Sequence, residues 1–332
     1  MLIIHTGGTI GMKKTAKGYT PVAGYLREEL KHIPDLNRSD FPAWDLYEMS
    51  PLLDSSNVSV GEWNAIGRII YERYDEYSGF VILHGTDTMS YTASALSFML
   101  EGLGKPVILT GSQIPLSELR SDGRDNLISS VMIASEGVAC EVCLYFSSLL
   151  LRGNRSMKMS ADGLVAFDSP GYPHLADAGI TVRYNTPAIL PRRKGGLIYH
   201  PFDNVPIGVL KVFPGIQFGL FEDIMTEKLS GVVIETFGAG NIPMGNGELL
   251  PIIKKAFGAG AVVTVSSQCP SGTVTLGAYE TSSQLKDAGA VSGKDMTTEA
   301  AVAKLYYLFS LGISKSEIKL LMEENIAGEL NP

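Results

Sequence analysis

Cysteine is scarce in this 332-residue chain: there are three. So few thiols exclude a disulfide-stapled scaffold, which needs several bridges to hold a small core. Cys140 and Cys143 have C-x-x-C spacing, but the run around them, Val138–Phe146, reads as a buried strand. Residues three apart on a strand point to opposite faces, so this pair does not readily share a metal or a disulfide. Cys269 has no second pair near it, and all three read as structural thiols in a reducing compartment. Histidine is sparse too. His5, His32, His84, His174 and His200 show no metal-ligand spacing, so neither a metal nor another cofactor is expected. No apolar run is long enough to span a bilayer. Positive charge is not in excess: 27 Lys and Arg stand against 35 Asp and Glu, a net charge of -8. That argues against nucleic acid or an anionic membrane as partner, because both need a basic surface. The one tight basic cluster, Arg192, Arg193 and Lys194, sits between prolines and glycines and reads as solvated linker. Met1 leads directly into Leu2, Ile3 and Ile4 with no charged leader region, so a cytoplasmic location is expected.

What is present is an alternation of short apolar runs with segments of helical period. Leu2–His5, Phe80–Leu83, Val107–Leu109 and Glu141–Phe146 read as strands. Asn57–Tyr77, Thr92–Leu103 and Asp122–Ser135 read as helices, the first because Trp63, Ile66, Ile69, Ile70 and Tyr74 recur at helical spacing. The second half continues the alternation without repeating a motif of the first. Its strands are Val209–Phe213, Gly231–Glu235 and Ala261–Ser266, and its helices Phe218–Met225, Glu248–Phe257, Thr297–Leu311 and Lys315–Glu323. Such a pattern predicts an α/β protein with parallel sheets covered by helices. We expect two α/β domains: a larger amino-terminal one of flavodoxin-like or Rossmann-like type over residues 1–185, and a smaller carboxyl-terminal one over 206–332. A proline-rich linker over 186–205 joins them.

Polar residues collect at the strand ends, where ligands bind in sheets of this kind. Taken singly they are ordinary. His5-Thr6-Gly7-Gly8-Thr9-Ile10-Gly11 is a glycine-rich turn that lacks both the G-x-G-x-x-G spacing and the Gly-Lys-Ser/Thr of phosphate loops. Leu83-His84-Gly85-Thr86-Asp87-Thr88-Met89 could be a helix cap with a structural histidine. Asp54-Ser55-Ser56 could be another cap, Thr110-Gly111-Ser112-Gln113 a turn, and Lys158 a surface lysine. Brought to one cleft they supply hydroxyls, a carboxylate and an amine. Amide hydrolysis by a threonine needs a base for the hydroxyl, donors for the oxyanion, and groups that grip the substrate. The Ser-His-Asp template with its G-x-S-x-G elbow does not fit, and a lysine made neutral by burial can serve as base instead.

Thr6–Gly11 and His84–Met89 resemble the two signature motifs of the bacterial-type L-asparaginase family. Gly18-Tyr19, Asp54-Ser55-Ser56, Thr110–Pro115, Arg152–Lys158 and Gly238-Ala239-Gly240-Asn241 follow in family order. The resemblance covers essentially the whole chain and is closest to the cytoplasmic type I enzymes. It implies hydrolysis of L-asparagine to L-aspartate and ammonia. Thr9 would be the nucleophile that forms an acyl-enzyme, with Tyr19 on a mobile loop helping to activate it. Thr86, Asp87 and Lys158 would form a second cluster that positions water, while Asp87 and Asp54, Ser55 and Ser56 grip the substrate's ammonium and carboxylate. Asn241 and Glu280 would reach the site of a neighbouring subunit, making the enzyme a homodimer or homotetramer. Some type I relatives hold a second asparagine site in the carboxyl half. Glu235 stands where a basic residue lines it, so activation by that route is not expected. Alternatives in the same fold are a glutaminase-asparaginase and the tRNA-dependent amidotransferase subunit, which normally has an extra amino-terminal domain. A nucleotide-binding enzyme and a non-catalytic asparagine sensor are alternatives of another class.

Overall fold

Four strands of the first half are buried along their whole length: Leu2–Gly7, Phe80–Leu83, Val107–Thr110 and Val142–Phe146. A strand apolar on both faces must be covered on both, which parallel strands with crossover helices achieve. The computed structural model, which describes residues 1–16, 18–192, 195–243, 248–277 and 280–331, has that arrangement. These four strands pair in parallel, in the spatial order Val142–Phe146, Val107–Thr110, Phe80–Leu83, Leu2–Gly7, with Asp45–Leu53 added in parallel at one edge. At the other edge Leu149–Arg152, Ala176–Ala178 and Val182–Tyr184 continue the sheet antiparallel. Asp45–Leu53 was not expected from the sequence. It is half exposed and carries Pro51, so its place depends on pairing with Leu2–Gly7 rather than on its own pattern.

The helices follow their caps. Val60–Glu72 starts where Ser59 and Glu62 close a capping box, and buries Val60, Trp63, Ile66 and Ile70. Its expected last turn is instead a 3-10 turn, Tyr74–Glu76. Met89–Met99 begins earlier than its periodicity suggests, because its first turn is buried and polar. It stops where Leu100–Glu101 turns to pair with Ile198–Tyr199. Gly123–Glu136 ends at Gly137 in the left-handed region, a common helix stop. Cys140 lies just ahead of the strand Val142–Phe146 rather than within it, and its thiol donates to the Gly137 carbonyl. All three cysteines are free.

The chain divides into two compact units, Met1–Tyr199 and His200–Pro332. Part of the segment expected as linker is hydrogen-bonded into the first unit. Leu190 N donates to Glu141, and Tyr199 Oη to the Asn64 carbonyl. Arg193 and Lys194 of the basic cluster lie outside the described residues. The smaller second unit holds a parallel sheet in the order Ile207–Lys211, Gly231–Thr236, Val262–Ser267, Val291–Ser292. Its helices are Leu249–Ala259, Glu280–Ala288, Thr298–Ser310 and Lys315–Met322. The expected helix Phe218–Met225 is not α-helical: a 3-10 turn, Phe218–Phe221, is followed by a π turn, Ile224–Lys228. Gly219 near its start weakens α-helix formation there. Each unit has its own apolar core. Among the described residues no helix is long and apolar enough to cross a membrane.

Candidate active site

Three strand ends of the first unit touch through glycines. Gly8 follows Leu2–Gly7 with a φ of 81°, the left-handed region that favours glycine. A Cβ on it would lie 2.4 Å from the Gly85 nitrogen, and one on Gly85 would lie 2.4 Å from Ser55 Oγ. Only residues without side chains let these turns approach so closely. As a result Thr9, Thr86 and the Asp54–Ser56 turn sit together beyond the carboxyl ends of three parallel strands. Thr9 opens the 3-10 turn Thr9–Gly11 and is half-buried. Tyr19, expected on a loop, lies on a two-stranded hairpin in which Gly18–Pro21 pairs with Met12–Thr15, and it faces Lys14 in register. Its ring is 44% exposed. The Glu118 carboxylate raises its phenol above the ordinary value, first through hydrogen bonding to it.

The second cluster has the tighter geometry. Lys158 Nζ donates to Thr86 Oγ1 at 2.9 Å and to Asp87 Oδ1 at 2.7 Å. Lys158 is delivered by a buried turn, Gly153–Arg155, and a short strand, Met157–Lys158, that pairs with Phe167–Asp168. Its side chain is 19% exposed, whereas that of Asp87 is 63% exposed and open to a ligand. Thr86 Oγ1 in turn donates to Gln113 Oε1 at 3.1 Å. Sequence reasoning assigned Gln113 no role, although it placed the residue at a polar strand end. Asp54 caps the 3-10 turn Ser55–Asn57 by accepting from Ser56 N at 3.1 Å. Ser55 is buried and its carbonyl accepts from Thr88 Oγ1 at 2.8 Å, which ties this turn to the Thr86 loop.

Burial depresses the His84 imidazole to about 4 against the opposing pull of the Gly85 carbonyl, so it is neutral at physiological pH. Its Nδ1 lies 2.7 Å from the Gly85 carbonyl and its Nε2 3.0 Å from Thr92 Oγ1. A carbonyl only accepts, so the proton is on Nδ1 and Thr92 donates to Nε2, while Trp63 Nε1 donates to Thr92 at 3.1 Å. His84 is the satisfied structural histidine the sequence suggested, and it braces the backbone one residue before Thr86. Among the described residues no cluster of three or more His, Cys, Asp or Glu could hold a metal.

Comparison with known proteins identifies the family. The family model "Asparaginase, N-terminal" matches residues 1–190, and "Glutaminase/Asparaginase C-terminal domain" matches residues 206–322. The chain belongs to the asparaginase family. L-asparaginase 1 of Escherichia coli (strain K12) is 46% identical over 331 residues, which are 99% of this chain and 97% of that one. The crystal structure of L-asparaginase I from Vibrio cholerae superposes with a TM-score of 0.92 at 44% identity, covering 100% of this chain and 98% of that one. The thermostable L-asparaginase from Thermococcus kodakarensis follows with a TM-score of 0.89 at 32% identity, covering 100% and 99%. This asparaginase-family chain carries its two remaining candidate residues in the second unit. Asn241 is half-buried and its backbone pairs with Phe237 in both directions at 2.9 Å. Glu280 is exposed at the start of the helix Glu280–Ala288. Glu235 accepts from Thr298 Oγ1 at 2.6 Å, so its carboxylate is already engaged within its own unit.

Proposed function

We propose that this chain is an L-asparaginase that hydrolyses L-asparagine to L-aspartate and ammonia through a threonine acyl-enzyme. The observation that carries the reading is the contact of Lys158 with both Thr86 and Asp87 beyond the carboxyl end of Phe80–Leu83. The likeness to enzymes named L-asparaginase supports it. Thr9 attacks the side-chain carboxamide, ammonia leaves, and water held near Thr86 and Lys158 releases aspartate. The Tyr19 hydroxyl takes part in activating Thr9. Asp87 receives the substrate ammonium, a charge-assisted contact that its exposure permits. Asp54, Ser55 and Ser56 hold the substrate carboxylate through backbone and hydroxyl donors. Asn241 and Glu280 complete the site of a neighbouring subunit in a homodimer or homotetramer, and the enzyme is cytoplasmic. It uses no cofactor.

Ammonia release from L-asparagine, L-glutamine and D-asparagine tests this, with Thr9→Ala alongside. Release from L-asparagine well above the others, lost in the variant, is expected. A second reading, glutaminase-asparaginase, has the name of the matched carboxyl-terminal family in its favour. One methylene is worth only about 1–3 kcal/mol of discrimination, so comparable release from L-glutamine would establish that reading. No release from any of the three, with asparagine still raising the melting temperature, would identify a sensor instead.

A further inference from the structure

Thr86 has one hydroxyl hydrogen and two polar neighbours. Lys158 Nζ donates to its oxygen at 2.9 Å, and Gln113 Oε1 stands as acceptor at 3.1 Å. The hydrogen therefore points at Gln113. The amide of Gln113 is fixed in this orientation, because its Nε2 faces the carbonyl oxygens of Ala161 at 3.3 Å and Gly163 at 3.1 Å. A flip would set three oxygens against one another and leave the Thr86 hydrogen facing a donor. The backbone of Gln113 is clamped as well. Its nitrogen donates to both oxygens of Asp122 at 3.1 and 3.0 Å, and Ile114 N donates to the same carboxylate at 3.0 Å. Asn126 Nδ2 then reaches Asp122 at 3.3 Å and the Gly111 carbonyl at 3.0 Å. The turn after Val107–Thr110 is thus built to hold one amide oxygen against one hydroxyl.

We infer that Gln113 is a positioning residue that competes with Lys158 for the Thr86 hydrogen and keeps Lys158 as the donor in the substrate-free enzyme. This deepens the reading above and rests on it for its catalytic meaning. For Lys158 to act as base, the ammonium must first give up a proton to solvent, against the pull of the Asp87 carboxylate at 2.7 Å. The Thr86 hydroxyl must then turn from Gln113 Oε1 to Nζ, and its proton passes from Oγ1 to Nζ. Gln113 opposes that turn. Through Ala161 and Gly163 it also links the state of Thr86 to the segment that follows Lys158.

The test follows Lys158 by nitrogen-15 NMR of its Nζ across pH, in the intact chain and in Gln113→Leu. Leucine is close in size and removes the acceptor. The Thr86 hydroxyl is then free to donate to the neutral amine, and the Lys158 titration midpoint falls by about 0.5–1 pH unit. In a Thr86→Val background the same substitution shifts nothing. Gln113→Glu keeps an acceptor and adds charge, so the midpoint rises, which gives a second reading should the leucine variant fold poorly. With L-asparagine, the acid limb of the kcat profile follows these shifts while KM stays within about twofold. An unchanged midpoint in both variants, or a Gln113→Leu shift that persists without the Thr86 hydroxyl, would overturn the assignment. Failure of the intact chain to release ammonia would sink the asparaginase reading instead, and the lysine titration would still decide the coupling.

Discussion

At the scale of single residues, the site depends on hydroxyls whose surroundings differ. Thr86 is buried and held by Lys158 and Gln113, while Thr9 sits half-buried on its turn. Thr9→Ala and Thr86→Val should each lower asparagine turnover by roughly a thousandfold or more, because removing a nucleophile or its paired group abolishes a step rather than weakening it. Melting temperatures should stay near the parent value, and an ammonia assay with a thermal melt checks both. Close to full turnover in either variant would remove that residue's role. The buried histidines give a pH prediction. Burial lowers both His5 and His84 to about 4, below the ordinary value of about 6.5. The unfolded chain therefore binds these protons first. Stability is fully present above about pH 6.5 and is lost as pH falls toward 4, by about 3 kcal/mol for each ring. Histidine ring NMR signals that stay neutral down to pH 5, together with a falling urea midpoint, are expected. A ring titrating near 6.5 would contradict the burial argument for that residue.

At the scale of elements, the carboxyl-terminal tail is pinned to one helix by a buried ion pair. Lys304, within Thr298–Ser310, contacts Glu329 at 2.6 Å, and both are fully buried. The lysine also donates to the Met322 carbonyl, and Glu329 accepts from Ile326 N and Ala327 N. Lys304→Met should cost about 3–5 kcal/mol, because it leaves a carboxylate buried without its partner. Combining it with Glu329→Leu should recover part of the loss, since no charge is then stranded. Urea unfolding of the single and double variants measures both. A single variant as stable as the parent would show that the pair contributes nothing net. The same logic of mutual support explains why some elements escaped sequence reading. Asp45–Leu53 and the antiparallel strands Ala176–Ala178 and Val182–Tyr184 are short or polar and exist through pairing with a neighbour.

At the scale of the whole molecule, the proposed subunit-shared site has a direct consequence. A Thr9→Ala protomer and an Asn241→Ala protomer are each deficient in a different part of the site. If the second unit of one subunit serves its neighbour, mixed and reassociated protomers recover activity that neither has alone. Light scattering should show two or four chains per particle. A fully active monomer would refute the shared site. Much of this organisation was readable beforehand. The fully buried strands announce themselves as apolar runs, the helix expected over Asn57–Tyr77 by its hydrophobic spacing, and the two threonine turns by their glycines, because these signals lie within a few residues of one another. The sequence by itself therefore determined the α/β class and the principal strands, and its family resemblance singled out the hydroxyls proposed to carry the chemistry. Tertiary structure alone decided the order of strands, the antiparallel edge and the partners of each side chain. Lys158 meets Thr86 across 72 positions of chain, and Gln113 reaches Gly163 across 50. No local pattern encodes such contacts. They arise when burial of the whole sheet brings its strand ends together, and only then do glycines close-packed at Gly8 and Gly85 leave room for two threonines at one end of the sheet.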